Sequence, residues 1–248
     1  MKRLLWLLFL LISVPLARPA AAAGESIYVD LSSHLIEIGS RFTGASVIMF
    51  GTTSSPGDVV VVVRGPSKSV VVRRKEQSAG FWFNRDSVTF LNAPQFYALA
   101  ATAPVERVLP EAVRTERQIG VDKLALQPDE VVEPAALEAF RSAFVRERVR
   151  HALYPAQAGE VSFIDAKLFR VSLNFPAEVP TGAYDVEVLF VKNGKIVAAR
   201  TTPLVVAKTG LAARVFAFAH HNSYAYAAIA VMAALLAGWL GYVLFRKV

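Results

Sequence analysis

Cysteine is absent from all 248 residues. That single absence removes disulfides, zinc ribbons, cysteine-ligated iron–sulfur clusters and thiol nucleophiles together. Histidine is scarce, with four in the chain. His34 falls at a strand start or loop, His151 on a charged helical stretch, and His220 and His221 just before a long apolar run. Adjacent histidines point in different directions and rarely make a whole metal site, so the pair reads as polar interfacial residues. The chain also lacks a G-x-S-x-G elbow, a G-x-G-x-x-G loop, a P-loop and an H-E-x-x-H helix, so no named reaction follows from motif. Internal repeats and low-complexity linkers are missing as well.

Apolar residues are in excess. They make up 54% of the chain, with a mean hydropathy of +0.41. Such a chain is too apolar to be disordered and too apolar for an ordinary soluble domain. The two ends account for the surplus. Lys2 and Arg3 precede an apolar stretch, Leu4 to Ala17, interrupted by Ser13 and Pro15, and Ala20-Ala21-Ala22-Ala23 supplies an A-x-A site. Charged start, short apolar core and small-residue site predict a secretory signal peptide over 1–23. An uncleaved anchor is the alternative, but the core falls short of the ~20 residues that span a bilayer.

Tyr224 to Phe245 carries no charge and reads YAYAAIAVMAALLAGWLGYVLF. Its length and composition predict a transmembrane helix over 224–245, after a juxtamembrane segment 210–223. A buried helix of a soluble core is the alternative. Arg246 and Lys247 follow at once, and the positive-inside rule places the tail 246–248 in the cytoplasm. Tyr224 and Tyr226 mark one interface, Trp239 and Tyr242 the other. With the five basic residues of the two ends set aside, 22 of the 27 remain against 20 acidic residues, a net of +2 for the exported part. The sequence pI near 9.8 is therefore partly a topology signal and gives no case for nucleic-acid binding.

The exported region reads as mainly β. Region 24–104 holds short β-rich runs, among them Ala45–Phe50, Val59–Arg64, Ser69–Arg73 and Ser87–Leu91. Ser54-Ser55-Pro56-Gly57, Gly65-Pro66 and Asn92-Ala93-Pro94 punctuate them. Val59–Val63 is continuously apolar and is expected at the sheet centre. Region 105–158 reads as a helical insertion. Glu111–Gln118 is a weak helix and Glu133–Tyr154 a better one, with Leu137, Phe140 and Phe144 on one face and Val145, Val149 and Leu153 on a second stripe. Region 159–209 returns to strands. Phe169, Val171, Leu173 and Phe175 alternate with polar residues, as do Tyr184, Val186, Val188 and Phe190, and Asn193-Gly194 reads as a hairpin turn. The expected fold is one or more immunoglobulin-like β-sandwich domains with a helical insertion, plus the C-terminal helix. Composition leaves open whether this is one interrupted sandwich or two small domains.

Three features are weighed as sites. Phe81-Trp82-Phe83 puts Trp82 on the opposite strand face from its neighbours. It reads either as packing or as a partner-binding or ligand-stacking aromatic, with Asn84 or Arg85 beside it. Asp129, Glu130 and Glu133 read as a solvated loop with charges at a helix start, or as an acid–base pair. Within the span, Ala230, Ala234 and Gly238 repeat every four residues, beside Ala233, Ala237 and Gly241. Small residues on one stripe let a second helix approach closely, although alanine is common throughout this chain.

Leu168–Tyr184, Gly65-Pro66, Gly80-Phe81-Trp82, Pro94-Gln95-Phe96-Tyr97 and the Gly238-Trp239 anchor ending in Arg246 together resemble the alphaproteobacterial putative transmembrane protein family. That resemblance covers nearly the whole mature chain. It implies a signal peptide, a periplasmic domain and one C-terminal helix in the bacterial inner membrane. It also implies an exporter-like polytopic membrane protein as neighbour. The expectation is a non-enzymatic interaction protein without cofactor or metal, whose partners are the lipid bilayer and either that polytopic protein or a second copy. A periplasmic module for a small ligand is the runner-up, and an unrecognised hydrolase comes third.

Overall fold

The computed structural model describes residues 25–78 and 80–245. The expected signal segment and the tail 246–248 lie outside the described residues. Twelve strands are present among the described residues: β1 (Ile27–Leu31), β2 (Leu35–Ile38), β3 (Gly44–Thr53), β4 (Asp58–Arg64), β5 (Ser67–Ser78), β6 (Phe81–Pro94), β7 (Tyr97–Ala101), β8 (Gln127–Pro128), β9 (Gly159–Phe163), β10 (Leu168–Pro176), β11 (Gly182–Lys192) and β12 (Lys195–Lys208). Nine of them form one sheet in the order β1-β3-β10-β9-β7-β4-β11-β12-β2. The sheet is antiparallel except for the β7·β9 and β12·β2 pairs. It curls, bringing its edge strand β1 near β12.

Side-chain alternation drives this curl. Val47, Met49 and Thr53 of β3 point inward, and so do Phe169, Val171, Leu173 and Phe175 of β10. Their register, Met49 opposite Val171 and Val47 opposite Leu173, stacks the two apolar rows into one face. The Phe169 ring fills the space beside Gly51, where a Cβ would lie 2.3 Å from its Cζ. β4 is different. Val59 to Val63 are all buried, because β4 is flanked by β7 and β11 and covered on both faces. Each such side chain contributes roughly 1.5–3 kcal/mol over leaving it in water. The β11–β12 turn uses positive φ at both Asn193 (+49°) and Gly194 (+75°).

β4, β5, β6 and β7 make one long ribbon. Arg64 pairs with Tyr97, the Gly65 amide donates to Phe96 O at 2.9 Å, the Gln95 amide donates to Pro66 O at 2.9 Å, and Ser67 pairs with Pro94. The register therefore runs unbroken from the large sheet into the β5–β6 arm. Irregularities follow further out, at Lys68/Val70 and Arg74/Lys75. The short strands expected at Ser69–Arg73 and Ser87–Leu91 are thus parts of strands of 12 and 14 residues. The polar runs flanking the valines hide this, because an arm solvated on one face needs no apolar pattern at its ends.

The insertion supplies α1 (Val105–Val108), α2 (Glu111–Glu116), a 3₁₀ turn (Val121–Lys123) and α3 (Pro134–Arg150). Glu133 caps α3, its carboxylate accepting from the Ala136 amide at 3.0 Å, and Pro134 occupies the first turn. Phe140 and Phe144 are buried against β5 and β6. The Phe144 ring centroid lies 5.9 Å from both Phe90 and Tyr154, and Tyr154 lies 6.0 Å from Tyr97. The helix stops at Arg150, short of the expected Tyr154. Ala152 takes positive φ, and Tyr154 turns into the core to donate its hydroxyl to Pro94 O at 2.6 Å.

The molecule is mainly β, with a helical insertion and an apolar C-terminal helix. An immunoglobulin-like sandwich is not confirmed: a two-residue parallel β7·β9 pairing joins all nine strands into one curled sheet. A local feature shared with such sandwiches is present. The buried Tyr184 hydroxyl donates to Pro180 O at 2.5 Å, four residues upstream, and burial pushes that hydroxyl's pKa well up.

The sheet has two distinct ends. At one, the Asn193-Gly194 turn adjoins Lys192, whose ammonium donates to Glu25 at 2.5 Å. At the other, Gly182 pairs with Val206, and β12 ends at Lys208 beside the turn that follows β2. The chain leaves for its C-terminal helices from this second end.

Candidate membrane anchor and juxtamembrane groove

Beyond Lys208 the chain forms α4 (Leu211–His221) and α5 (Ser223–Phe245). α5 has 23 residues and no charge. At 1.5 Å per residue it is about 34 Å long, enough for a hydrocarbon layer of ~30 Å. None of its most apolar stretch is buried. Leu235 is 68% exposed and Trp239 61%. A helix apolar on every side, with its most apolar stretch left unburied by the described residues, has a membrane as its compatible solvent. Among the described residues it is the one helix long and apolar enough to cross.

Ala230, Ala234 and Gly238 lie on α5, and all three are exposed. A Cβ at Gly238 or at Gly241 would meet nothing within 4 Å. The stripe is therefore uncovered by the described residues. Trp82 stands elsewhere, in β6 opposite Gln77 near the end of the arm, and its side chain lies outside the described residues.

Between the two helices Asn222 leaves the helical region (φ −131°, ψ 57°). Its amide still donates to Phe218 O at 2.8 Å, and its carbonyl accepts from the Tyr226 amide at 2.9 Å. Gly210, at φ +94°, begins α4 in a conformation that disfavours a side chain. α4 leaves an open groove against the sheet end. One part, about 790 Å³, is lined by Gly39, Ser40, Thr209, Gly210, Val215, Phe216, Ala219 and Tyr226. An adjoining part, about 700 Å³, adds Ile38, Thr181 and Val206 to Lys208. Sequence reasoning treats 210–223 as a plain connector. The signal it passes over is the spacing of Leu211, Val215, Phe216, Phe218 and Ala219.

Five of the remaining sequence candidates have structural partners. His34 Nε2 lies 3.3 Å from Asp30. His151 sits between Glu178 (2.6 Å) and Glu147 (3.0 Å), and those carboxylates, Glu178 foremost, raise its pKa. His220 Nδ1 lies 3.1 Å from Phe216 O. Glu133 is the α3 cap, and Asp129 donates its amide to Thr89 O at 2.8 Å. No group of three or more His, Asp or Glu among the described residues is arranged to hold a metal ion. A second groove, about 680 Å³, runs between α3 and the end of β7 beside the start of β9. Its walls include Leu99, Val121, Val145 and Val149, with Glu106, Asp122 and Glu160 around them.

Residues 26–247 match the family described as "Putative transmembrane protein (Alph_Pro_TM)". The chain belongs to this family. The match takes in the sheet, the insertion, α4 and α5 together, so the β domain and the apolar helix recur as one unit in Alph_Pro_TM proteins. No curated protein matches the chain. Among solved structures, a chain from "Structural basis of T cell specificity and activation by the bacterial superantigen toxic shock syndrome toxin-1" aligns at 7% identity, over 74% of this chain and 100% of its own, with a TM-score of 0.26. AggA, the major subunit of aggregative adherence fimbriae type I from Escherichia coli, aligns at 11% identity, over 75% of this chain and 94% of its own, with a TM-score of 0.22. Scores this low carry no argument about fold or function.

Proposed function

We propose that this protein is a non-enzymatic accessory subunit of the bacterial inner membrane. A cleaved signal exports the β domain to the periplasm, α5 holds it at the membrane, and Arg246 and Lys247 keep the C-terminus in the cytoplasm. α5 also recognises a second helix through Ala230, Ala234 and Gly238, either in a polytopic membrane protein such as an exporter or in a second copy of this chain. The observation that carries this reading is the exposure of Ala230, Ala234 and Gly238, a stripe that the described residues leave uncovered and open to another helix.

The test is the double variant Ala234→Ile, Gly238→Ile. Isoleucine keeps insertion favourable and adds bulk where two backbones would meet. Helix contacts of this kind are worth about 1–2 kcal/mol, so association in co-purification or in a bacterial helix-association assay is expected to fall roughly 5- to 30-fold. Unchanged association with insertion confirmed would reduce α5 to a tether.

A second reading, a periplasmic module for a small ligand, draws on the groove beside α3. Val145→Trp would fill that groove and leave α5 association unchanged, which separates the two.

A further inference from the structure

We infer that α4 is an interfacial helix, lying in the headgroup layer of the bilayer that α5 crosses, and that it seats the β domain on an anionic lipid surface. The inference rests on α5 being a span, and its test is chosen to fail separately from that reading.

Position comes first. α4 ends at His221 and α5 starts at Ser223, so α4 is one residue away from the apolar span. Tyr226, in the first turn of α5, lines the same groove as Gly39 and Ser40. The bilayer boundary therefore falls at the sheet end from which β12 leaves, and α4 has nowhere to be except at that boundary.

Amphipathicity comes second. At 100° per residue, Phe218, Val215, Ala219 and Phe216 fall on one arc, and His220 and His221 on the opposite one. Phe216 is 63% exposed, Val215 44% and Phe218 39%, beside a groove that the protein leaves open. Eleven residues are too few for a helix to be stable alone in water. An apolar arc laid about 5–10 Å into the headgroup–acyl boundary supplies the missing burial.

Charge identifies the lipid. Lys208 and Arg214 bracket the start of α4, and the exposed Arg41 follows the groove residue Ser40. One exposed carboxylate, Glu37 of β2, lies opposite Ala207 beside Lys208, and the three basic residues outnumber it. Each basic residue held near an anionic surface strengthens partitioning about fivefold.

The natural absence of cysteine permits a clean test on the full-length protein. Single substitutions Ala219→Cys (mid-apolar arc), Ala217→Cys (polar arc), Met232→Cys (mid-span) and Asn193→Cys (far turn) are spin-labelled. The protein is reconstituted in phosphatidylcholine vesicles, with or without phosphatidylglycerol. Collisions with oxygen and with a water-soluble nickel complex then report depth. The expected result is a deep label at 232, a label just below the headgroups at 219, and water-exposed labels at 217 and 193. Phosphatidylglycerol should deepen 219, and the triple variant Arg41→Gln, Lys208→Gln, Arg214→Gln should abolish that deepening without moving 232. Labels at 219 and 217 equally open to nickel, with 232 still deep, would overturn the inference and leave the anchor standing. A label at 219 shielded from both reagents would mean that protein covers this face, which also overturns it. A nickel-accessible 232 would overturn the anchor itself.

Discussion

Replacing Phe144 with alanine tests the join between the helical insertion and the sheet. Phe144 is buried, with its ring 5.9 Å from Phe90 at 51° and 5.9 Å from Tyr154 at 83°. The Arg148 guanidinium carbon sits 5.0 Å over the same ring. The substitution removes the phenyl transfer energy, two aromatic contacts and a cation–π contact, and it leaves a cavity between α3 and β6 that neither element can easily close. These terms overlap, and core Phe→Ala changes as a class cost about 3–5 kcal/mol. For a domain of this size, each kcal/mol lowers Tm by about 2–4 °C, so the expected drop is about 6–20 °C. Circular dichroism melting of the full-length protein in detergent is the assay. Phe144→Leu, which keeps most of the volume, should recover much of the loss, and Leu137→Ala, at a half-buried position on the same face, should cost less. If Phe144→Ala melted with the parent protein, α3 would not be packed on the arm and the aromatic chain from Tyr97 to Phe90 would be wrong.

Val186 is fully buried opposite Val63, so Val186→Asp puts an unpaired charge in the sheet core. It is expected to cost several kcal/mol and to abolish the cooperative melt; a parent-like melt would reverse the inward assignment of Tyr184, Val186, Val188 and Phe190. Glu25 has its pKa lowered from 4.5 to about 2, first by the Lys192 ammonium and then by the Ser54 and Ser55 hydroxyls. A depressed carboxylate stabilises above its ordinary value and loses that contribution as pH falls toward the folded value, so Glu25→Gln should flatten Tm between about pH 5 and pH 2. His151 has the opposite sign. Its pKa is raised by Glu178 and Glu147, so its contribution is present below 6.5 and lost as pH rises, and His151→Gln should flatten the melt on the neutral-to-alkaline side.

Local chemistry made much of this fold legible. The five-valine run of β4 announces a strand buried on both faces, the alternation of β10 and β11 gives their inward rows, and Asn193-Gly194 gives a turn needing two positive φ values. What pattern could not give was pairing. β1 lies beside β3, and β10 lies between β3 and β9, because their apolar rows match in space, a fact that no window of sequence contains. The Gly65-Pro66 and Asn92-Ala93-Pro94 punctuation suggested breaks. The chain instead carries one register through Gly65-Pro66 as far as Ala93-Pro94, and the shift comes only at the positive-φ residue Asn92, across from the Lys68/Val70 step. Tyr154 fits the helical period of α3 and is nonetheless withdrawn from it, since a hydroxyl partner at Pro94 and a ring partner at Tyr97 outweigh one more turn of helix. In the anchor, length and lack of charge mark the candidate span. The amphipathic α4 is hard to read because its 11 residues hold few full turns and its apolar residues run straight on into the apolar span.

The central claim, a single α5 span with the β domain outside the cytoplasm, is most directly tested by paired reporter fusions on the full chain. One fusion follows Lys208, where the sheet ends, and the other follows Val248. A periplasm-active reporter such as alkaline phosphatase should be active after Lys208 and silent after Val248, and a cytoplasm-active reporter should give the reverse pattern. Cytoplasmic activity after Lys208, or the same compartment for both positions, would contradict the account.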